Sequence, residues 1–224
     1  VTPAGIRKTI DGSRRRLKRD RLDLALLHLN GMDPALAPQV FDTLETLTGE
    51  GAIAAYGWST DFMPQALSAV DYPHFVAFEN DYNVFTPATD LMALAESRGK
   101  ISLSRLPLAM GLLTGKFKPG QAMASDDVRA QAFDWLRFFR NGQPSKEYLE
   151  HIAALRELLQ TGGRTLAQGA PSWILAKSPI ALPGPGFKTE DQGQDNFGAA
   201  EKGALPAGVM AEIDHKLKTF GLVK

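Results

Sequence analysis

Three short stretches carry residue types suited to chemistry rather than packing. In LDLALLHLN, residues 22–30, His28 sits near the end of an almost unbroken apolar run. Imidazole changes charge near neutral pH, so a histidine at a strand tip is a candidate for orienting or polarising a bound group. The other two stretches, PLAMGLLTGK (107–116) and PGPGFKT (183–189), combine glycines with a lysine. Glycines let backbone N–H groups approach a ligand, the lysine adds charge, and PGFKT runs into a helix start, where the dipole favours an anion. Each loop alone reads as a structural turn. As a pair after the last two strands of the chain they point to a phosphate-bearing ligand. His28 has a bland alternative too, a core histidine bonded to backbone. GLLTGK is not a nucleotide P-loop, because its glycine spacing is wrong and no Ser or Thr follows Lys116.

These residues need elements to position them. Ile6, Ile10 and Leu17 recur at helical spacing, with Thr2 as N-cap and Pro3 at the first helical position. LDLALLHL then reads as a strand buried on both faces. Further strands are expected at 53–59, 75–80, 101–107 and 179–185. Helices are expected near 36–49, 63–70, 90–99, 145–160, 165–177, 189–195 and 206–219. Between 109 and 143 lies a less regular insert, with a helical stretch DVRAQAFDWLRFFR. Strands alternating with helices indicate βα units and a parallel sheet, either a barrel or a doubly wound sheet. No GxGxxG follows a strand, which argues against a dinucleotide-binding Rossmann domain. In a (β/α)8 barrel, chemistry sits at the C-terminal ends of strands, where His28 and both Gly/Lys loops fall.

Composition narrows the chemistry. The 224 residues contain no cysteine, which removes disulfides, thiol nucleophiles and Cys-ligated metals. Lys and Arg number 25, as do Asp and Glu, so net charge points to neither nucleic acid nor a membrane surface. No apolar run approaches the roughly 20 residues that span a bilayer, and the expected location is cytoplasmic. The basic run RRRLKRDR (14–21) is interrupted by Asp20 and reads as a solvated helix face. His74, His151 and His215 lack metal-ligand spacing, so no metal is expected. Phe133, Trp135, Phe138 and Phe139 form an aromatic cluster, read either as packing of the insert or as a substrate-pocket wall.

The segments LDLALLHL, AIAAYGWST, FENDYNVFT, RLPLAMGLLTGKF and PGPGFKT…DNFGA, in this order and spacing, resemble the aldo-keto reductases. The resemblance runs from the first helix to Glu212–His215. It is nearest the bacterial branch similar to potassium-channel β subunits, in which an Arg precedes the PL motif. It implies a (β/α)8 TIM-barrel type α/β fold in one domain. It also implies an NADP(H)-dependent oxidoreductase, with NAD(H) as the alternative cofactor, that reduces aldehydes or ketones to alcohols. By the same resemblance His28 matches the active-site histidine that polarises the carbonyl. Ser59 and Thr60 match the pair bonding the nicotinamide carboxamide, with Thr replacing Asn. Glu79 stands where the family has Gln, although an ionised Glu cannot donate to the amide oxygen. Arg105 matches the residue against the nicotinamide ring, and an Arg105–Glu79 ion pair is the structural alternative. Leu106, Pro107, Leu108, Met110 and Gly111 match the loop over the pyrophosphate, leading to Lys116. Gly186, Phe187, Lys188, Thr189, Gln192 and Asn196 match the segment for the adenosine 2′-phosphate and adenine. With Gln192 in place of Arg, preference for the phosphorylated cofactor rests on Lys188.

A complete barrel has eight strands, and five are expected here, four to eight of the barrel. The resemblance therefore implies a missing N-terminal portion with the first three strands. The family's Asp, proton-donating Tyr and Lys have no matching position. A non-catalytic cofactor-binding module or inactive fragment is the alternative function. Partners are expected to be a small carbonyl substrate, with no nucleic acid and no membrane.

Overall fold

The computed structural model describes residues 1–223. The chain divides into two compact units. One comprises Val1–Asp81 and Ala88–Leu103; the other comprises Tyr82–Pro87 and the residues from Ser104 onward.

The first unit runs α1 (Pro3–Leu17), β1 (Leu22–Leu27), α2 (Ala37–Gly49), β2 (Ile53–Ser59), α3 (Met63–Ala69), β3 (Phe75–Asp81) and α4 (Thr89–Ser97), and takes in the start of β4 (Ile101–Arg105). Thr2 caps α1 by accepting from Gly5 N–H, with Pro3 at the first helical position. The strands lie in chain order, β1-β2-β3-β4, and the β1–β2 and β2–β3 pairings are parallel. Parallel strands need crossover connections, which the helices supply. Phe41 of α2 locks the core, packing on Tyr56, Trp58 and Phe75 with ring centroids 5.3–5.9 Å apart. Gly57 is required where β2 meets β3, because a Cβ there would lie 2.2 Å from the Ala77 carbonyl oxygen.

The expectation that β1 is buried on both faces fails. Leu24, Leu26 and Leu27 are only half-buried and His28 is exposed. The reason is position: β1 stands at the edge of the strand order, with β2 as its one neighbour. An apolar groove of about 480 Å³ runs beside it, lined by Ile6, Ile10, Leu26, Leu29, Val40 and Leu44 among others. The basic run ends α1 at the surface. There Arg14 bonds Asp11 and the Asp20 carbonyl, and Arg19 pairs with Asp23.

In the second unit β4 runs on and is followed in the sheet order by β7 (Ala181–Pro183). Before β7 come a two-stranded ribbon, β5 (Phe139–Arg140) and β6 (Gln143–Pro144), and helices α5 (Lys146–Leu159) and α6 (Leu166–Lys177); after it come α7 (Glu190–Lys202) and α8 (Ala207–Thr219). Trp173, Leu155, Leu159 and Ile213 make its core. Arg164, 8% exposed, donates to the carbonyls of Lys202, Gly203 and Ala204 at the end of α7 and to Ser172 Oγ. The guanidinium thus satisfies a buried helix end.

The helix expected over DVRAQAFDWLRFFR does not form; Val128–Ala130 makes one 3₁₀ turn and Phe139 starts the ribbon. Asp127 caps that turn by accepting the Arg129 N–H with its side chain, and the chain leaves it at Gln131 in extended conformation. Asn141 and Gly142, with φ of 51° and 70°, then form the two-residue turn that fits a hairpin. The expected aromatic cluster also separates. Phe133 and Trp135 stack on each other at the surface, while Phe138 is buried against Tyr148 and Phe139 against Phe117.

Candidate functional site

In the first unit the candidates follow the ends of β1, β2 and β3. His28 comes directly after β1, its backbone held between Leu27, in register with Trp58, and Leu29, whose carbonyl accepts from Trp58 Nε1 at 3.1 Å. Ser59, the last residue of β2, and Thr60 are fully buried. Thr60 donates its hydroxyl to the Asn30 carbonyl at 2.9 Å and accepts from Phe62 N–H at 3.3 Å. Its one hydroxyl proton is therefore committed to the loop after β1. Glu79 is half-buried, and its carbonyl accepts from Thr60 N–H at 3.0 Å. Ser59 and Glu79 thus stand in register at the ends of β2 and β3, with Thr60 and His28 on the segments that follow β2 and β1.

In the second unit Arg105 ends β4 and is half-buried. The following loop is conformationally unusual: Leu106, Ala109 and Met110 have φ of 52°, 47° and 57°, and Gly111 has 88°. Left-handed backbone at non-glycine residues costs of order 1–3 kcal/mol each and collects at ligand sites. Buried Asn83 holds the turn by donating to the Leu106 carbonyl at 3.1 Å. Leu108 is buried under the loop, and Pro107 is buried beside it.

Beyond the loop stands a cationic cluster. The Lys116 side chain is exposed, yet its pKa lies below the ordinary lysine value. Neighbouring protein displaces part of its hydration, and Arg129 and Lys188 repel its charge. Asp127 is the compensating anion. Hydrogen bonds from the Arg129 guanidinium and N–H hold its carboxyl far below the usual range, with Lys188 adding to the effect. The Arg129 guanidinium lies over the rings of Phe117 and Phe139, 5.2 and 5.6 Å from their centroids, and donates to the Met110 carbonyl. The ribbon carrying Phe139 is therefore part of the support for this charge. The two Gly/Lys loops, 67 residues or more apart by their nearest ends, share one electrostatic environment in this unit.

The segment after β7 is ordered by its own side chains. Thr189 caps α7 by accepting from Gln192 N–H, Gln192 Oε1 accepts from Lys188 N–H at 2.9 Å, and buried Asn196 donates to the Gly186 carbonyl at 3.4 Å. Phe187 is exposed and packs edge-on to Phe197, 5.8 Å between centroids. The Lys188 charge acts on both Lys116 and Asp127, lowering the pKa of each.

Residues 1–218 match the Aldo/keto reductase family. The chain belongs to that family. Among its curated relatives, aldo-keto reductase str7 of Strobilurus tenacellus is 27% identical over 89% of the chain and 61% of its own length. Aldo-keto reductase yakc [NADP(+)] of Schizosaccharomyces pombe is 25% identical, over 88% of the chain and 58% of its own length. Among solved structures, the glycerol dehydrogenase AKR11B4 of Gluconobacter oxydans covers all of the chain and 66% of its own, with 24% identity and a TM-score of 0.78. The chain spans about three fifths of the length of these curated relatives. The family match covers nearly all of the chain's own residues. The parallel sheet in chain order fits the barrel-type α/β fold of the family.

For this reductase-family chain, sequence reasoning missed Arg129. Its signal was the Asp127-Val-Arg129 spacing inside the insert, read instead as helix. Reasoning also missed Asn30 and Asp61, which tie the loops around His28. Among the described residues no group of three or more His, Asp or Glu is placed to hold a metal ion, and no helix is long and apolar enough to cross a membrane.

Proposed function

We propose that this chain acts in NADP(H)-dependent reduction of aldehydes or ketones to alcohols by hydride transfer. The observation carrying the reading is the gathering of Lys116, Arg129 and Lys188 around a single carboxylate, beside the left-handed loop at 106–111. Asp127 is bonded by Arg129, so the charges of Lys116 and Lys188 remain as positive charge suited to phosphates. The left-handed loop and the Lys188 segment would hold the pyrophosphate and the 2′-phosphate. In the first unit Ser59, Thr60 and Glu79 would meet the carboxamide. When bound, the nicotinamide supplies the hydride. His28, exposed on a backbone pinned at both sides, would orient the carbonyl.

One observation favours a second reading, cofactor binding without turnover. Carbonyl reduction needs a proton donor of suitable pKa. Tyr56, Tyr72 and Tyr148 are all shifted the wrong way, above the ordinary tyrosine value, with burial first among the causes. Tyr56 also donates to Glu45, and Tyr72 to Asp42. Tyr82 is buried against Trp173.

Titrating the chain with NADPH by fluorescence, then assaying NADPH oxidation with a small aldehyde, decides between them. Binding with turnover slowed by His28→Ala supports the reductase reading. Binding alone supports the second, and no binding overturns both.

A further inference from the structure

Where β1, β2 and β3 end, their backbone ladder ends too, and the residues expected at the reacting end of a ligand stand at those ends or on the loops just beyond. One carboxylate joins those loops. Asp61 Oδ2 accepts from Asn30 Nδ2 at 3.0 Å, and the Asp61 N–H donates back to Asn30 Oδ1 at 2.8 Å. The second oxygen, Oδ1, accepts from the Asp81 N–H at 2.7 Å. Asn30 in turn accepts the Thr60 hydroxyl on its carbonyl. An aspartate serving only its own turn would bond a backbone N–H two residues on. Here both oxygens leave their own segment, for partners 31 and 20 residues away in sequence.

We infer that Asp61 is a positioning residue: it sets the loops bearing His28 and Thr60 relative to each other and to the end of β3, which carries Glu79, and through them the grip on the nicotinamide end of the cofactor. Hydrogen bonds to an ionised carboxylate are the stronger kind, and two of the four bonds named above end on one. Removing it frees Asn30, and with Asn30 the segment that follows His28. The Lys116–Arg129–Lys188 cluster draws on none of these bonds, so phosphate recognition is untouched. This inference rests on the cofactor reading above.

The test compares NADPH, titrated by fluorescence, with 2′,5′-ADP, which lacks the nicotinamide, titrated by calorimetry, on the full 224-residue chain. Asp61→Ala is expected to weaken NADPH about tenfold and to leave 2′,5′-ADP within about twofold, the loss of one charged hydrogen-bond set. Asn30→Asp, which sets two carboxylates face to face, should weaken NADPH similarly. Combining Asn30→Asp with Asp61→Asn restores an amide–carboxylate pair with exchanged roles, and should bring NADPH affinity back to within about threefold. Equal weakening of both ligands, no weakening of either, or no rescue overturns the assignment while leaving the cofactor reading in place. A wild-type chain that binds neither ligand overturns the cofactor reading and this inference with it. If Asp61→Ala fails to fold, the Asn30→Asp variant and its rescue decide the matter.

Discussion

Lys116 is held among like charges, Arg129 and Lys188, with part of its hydration lost, and both effects disfavour its ammonium form. Its proton is therefore lost at lower pH than from an ordinary lysine. For a ligand gripped by that charge the sign follows directly. NADPH affinity should hold at neutral pH and begin to fall as pH rises, before the ordinary lysine range is reached. Lys116→Arg keeps the charge throughout, and should flatten the alkaline limb of a fluorescence titration run from pH 7 to 10.5 while leaving neutral affinity within about threefold. An unchanged limb would mean that another group sets it. Lys116 and Lys188 were legible in the sequence, because lysine beside glycine after a strand is a local pattern. Arg129 was not, because what makes it part of the cluster is distant: rings at 117 and 139, and a carbonyl at 110. Asp61 was hidden for the same reason, since its value lies in partners beyond β1 and at the end of β3.

Most elements could be read from apolar runs, because a strand or helix buries what its own period displays. β2 was expected at 53–59 and spans Ile53–Ser59; β4 stops two residues short of the expected 101–107. The insert could not be read this way. Leu136 and Phe139 imitate helical spacing, but the turn that Asp127 caps ends after three residues at an extended Gln131, and Asn141-Gly142 turns the chain back. That dipeptide was the available signal. Gly142 has φ of 70°, and a Cβ there would lie 3.6 Å from Ala130 Cα, an ordinary contact. The cost of Gly142→Ala is thus conformational rather than steric, about 1 kcal/mol. Because β5 carries Phe139 under Arg129, the same variant should also weaken NADPH binding slightly, by about two- to threefold. Thermal melts and titration of this one variant check both effects; a stability loss without any change in affinity would separate the ribbon from the cluster.

At the scale of the whole molecule, the βα rhythm was enough to expect a parallel sheet. Its strand order follows the chain, so local connections alone specify it. Burial across the sheet was less legible: an apolar run looks the same in an edge strand as in a central one, and β1 proved to be an edge. Zero net charge implies little long-range steering, which leaves cofactor affinity to the local cluster. Binding to the native chain and not to the unfolded one stabilises it by mass action, about 2.7 kcal/mol at a hundredfold excess over Kd. For a chain of 224 residues each kcal/mol raises Tm by about 2–4 °C. NADPH at that excess should then raise Tm by about 5–10 °C. With Lys116→Ala the shift at the same NADPH concentration should fall to about half, since a tenfold loss of affinity removes about 1.4 kcal/mol. A wild-type Tm indifferent to NADPH would remove the cofactor from any account of this chain; a full shift without aldehyde-dependent oxidation would make it a cofactor binder.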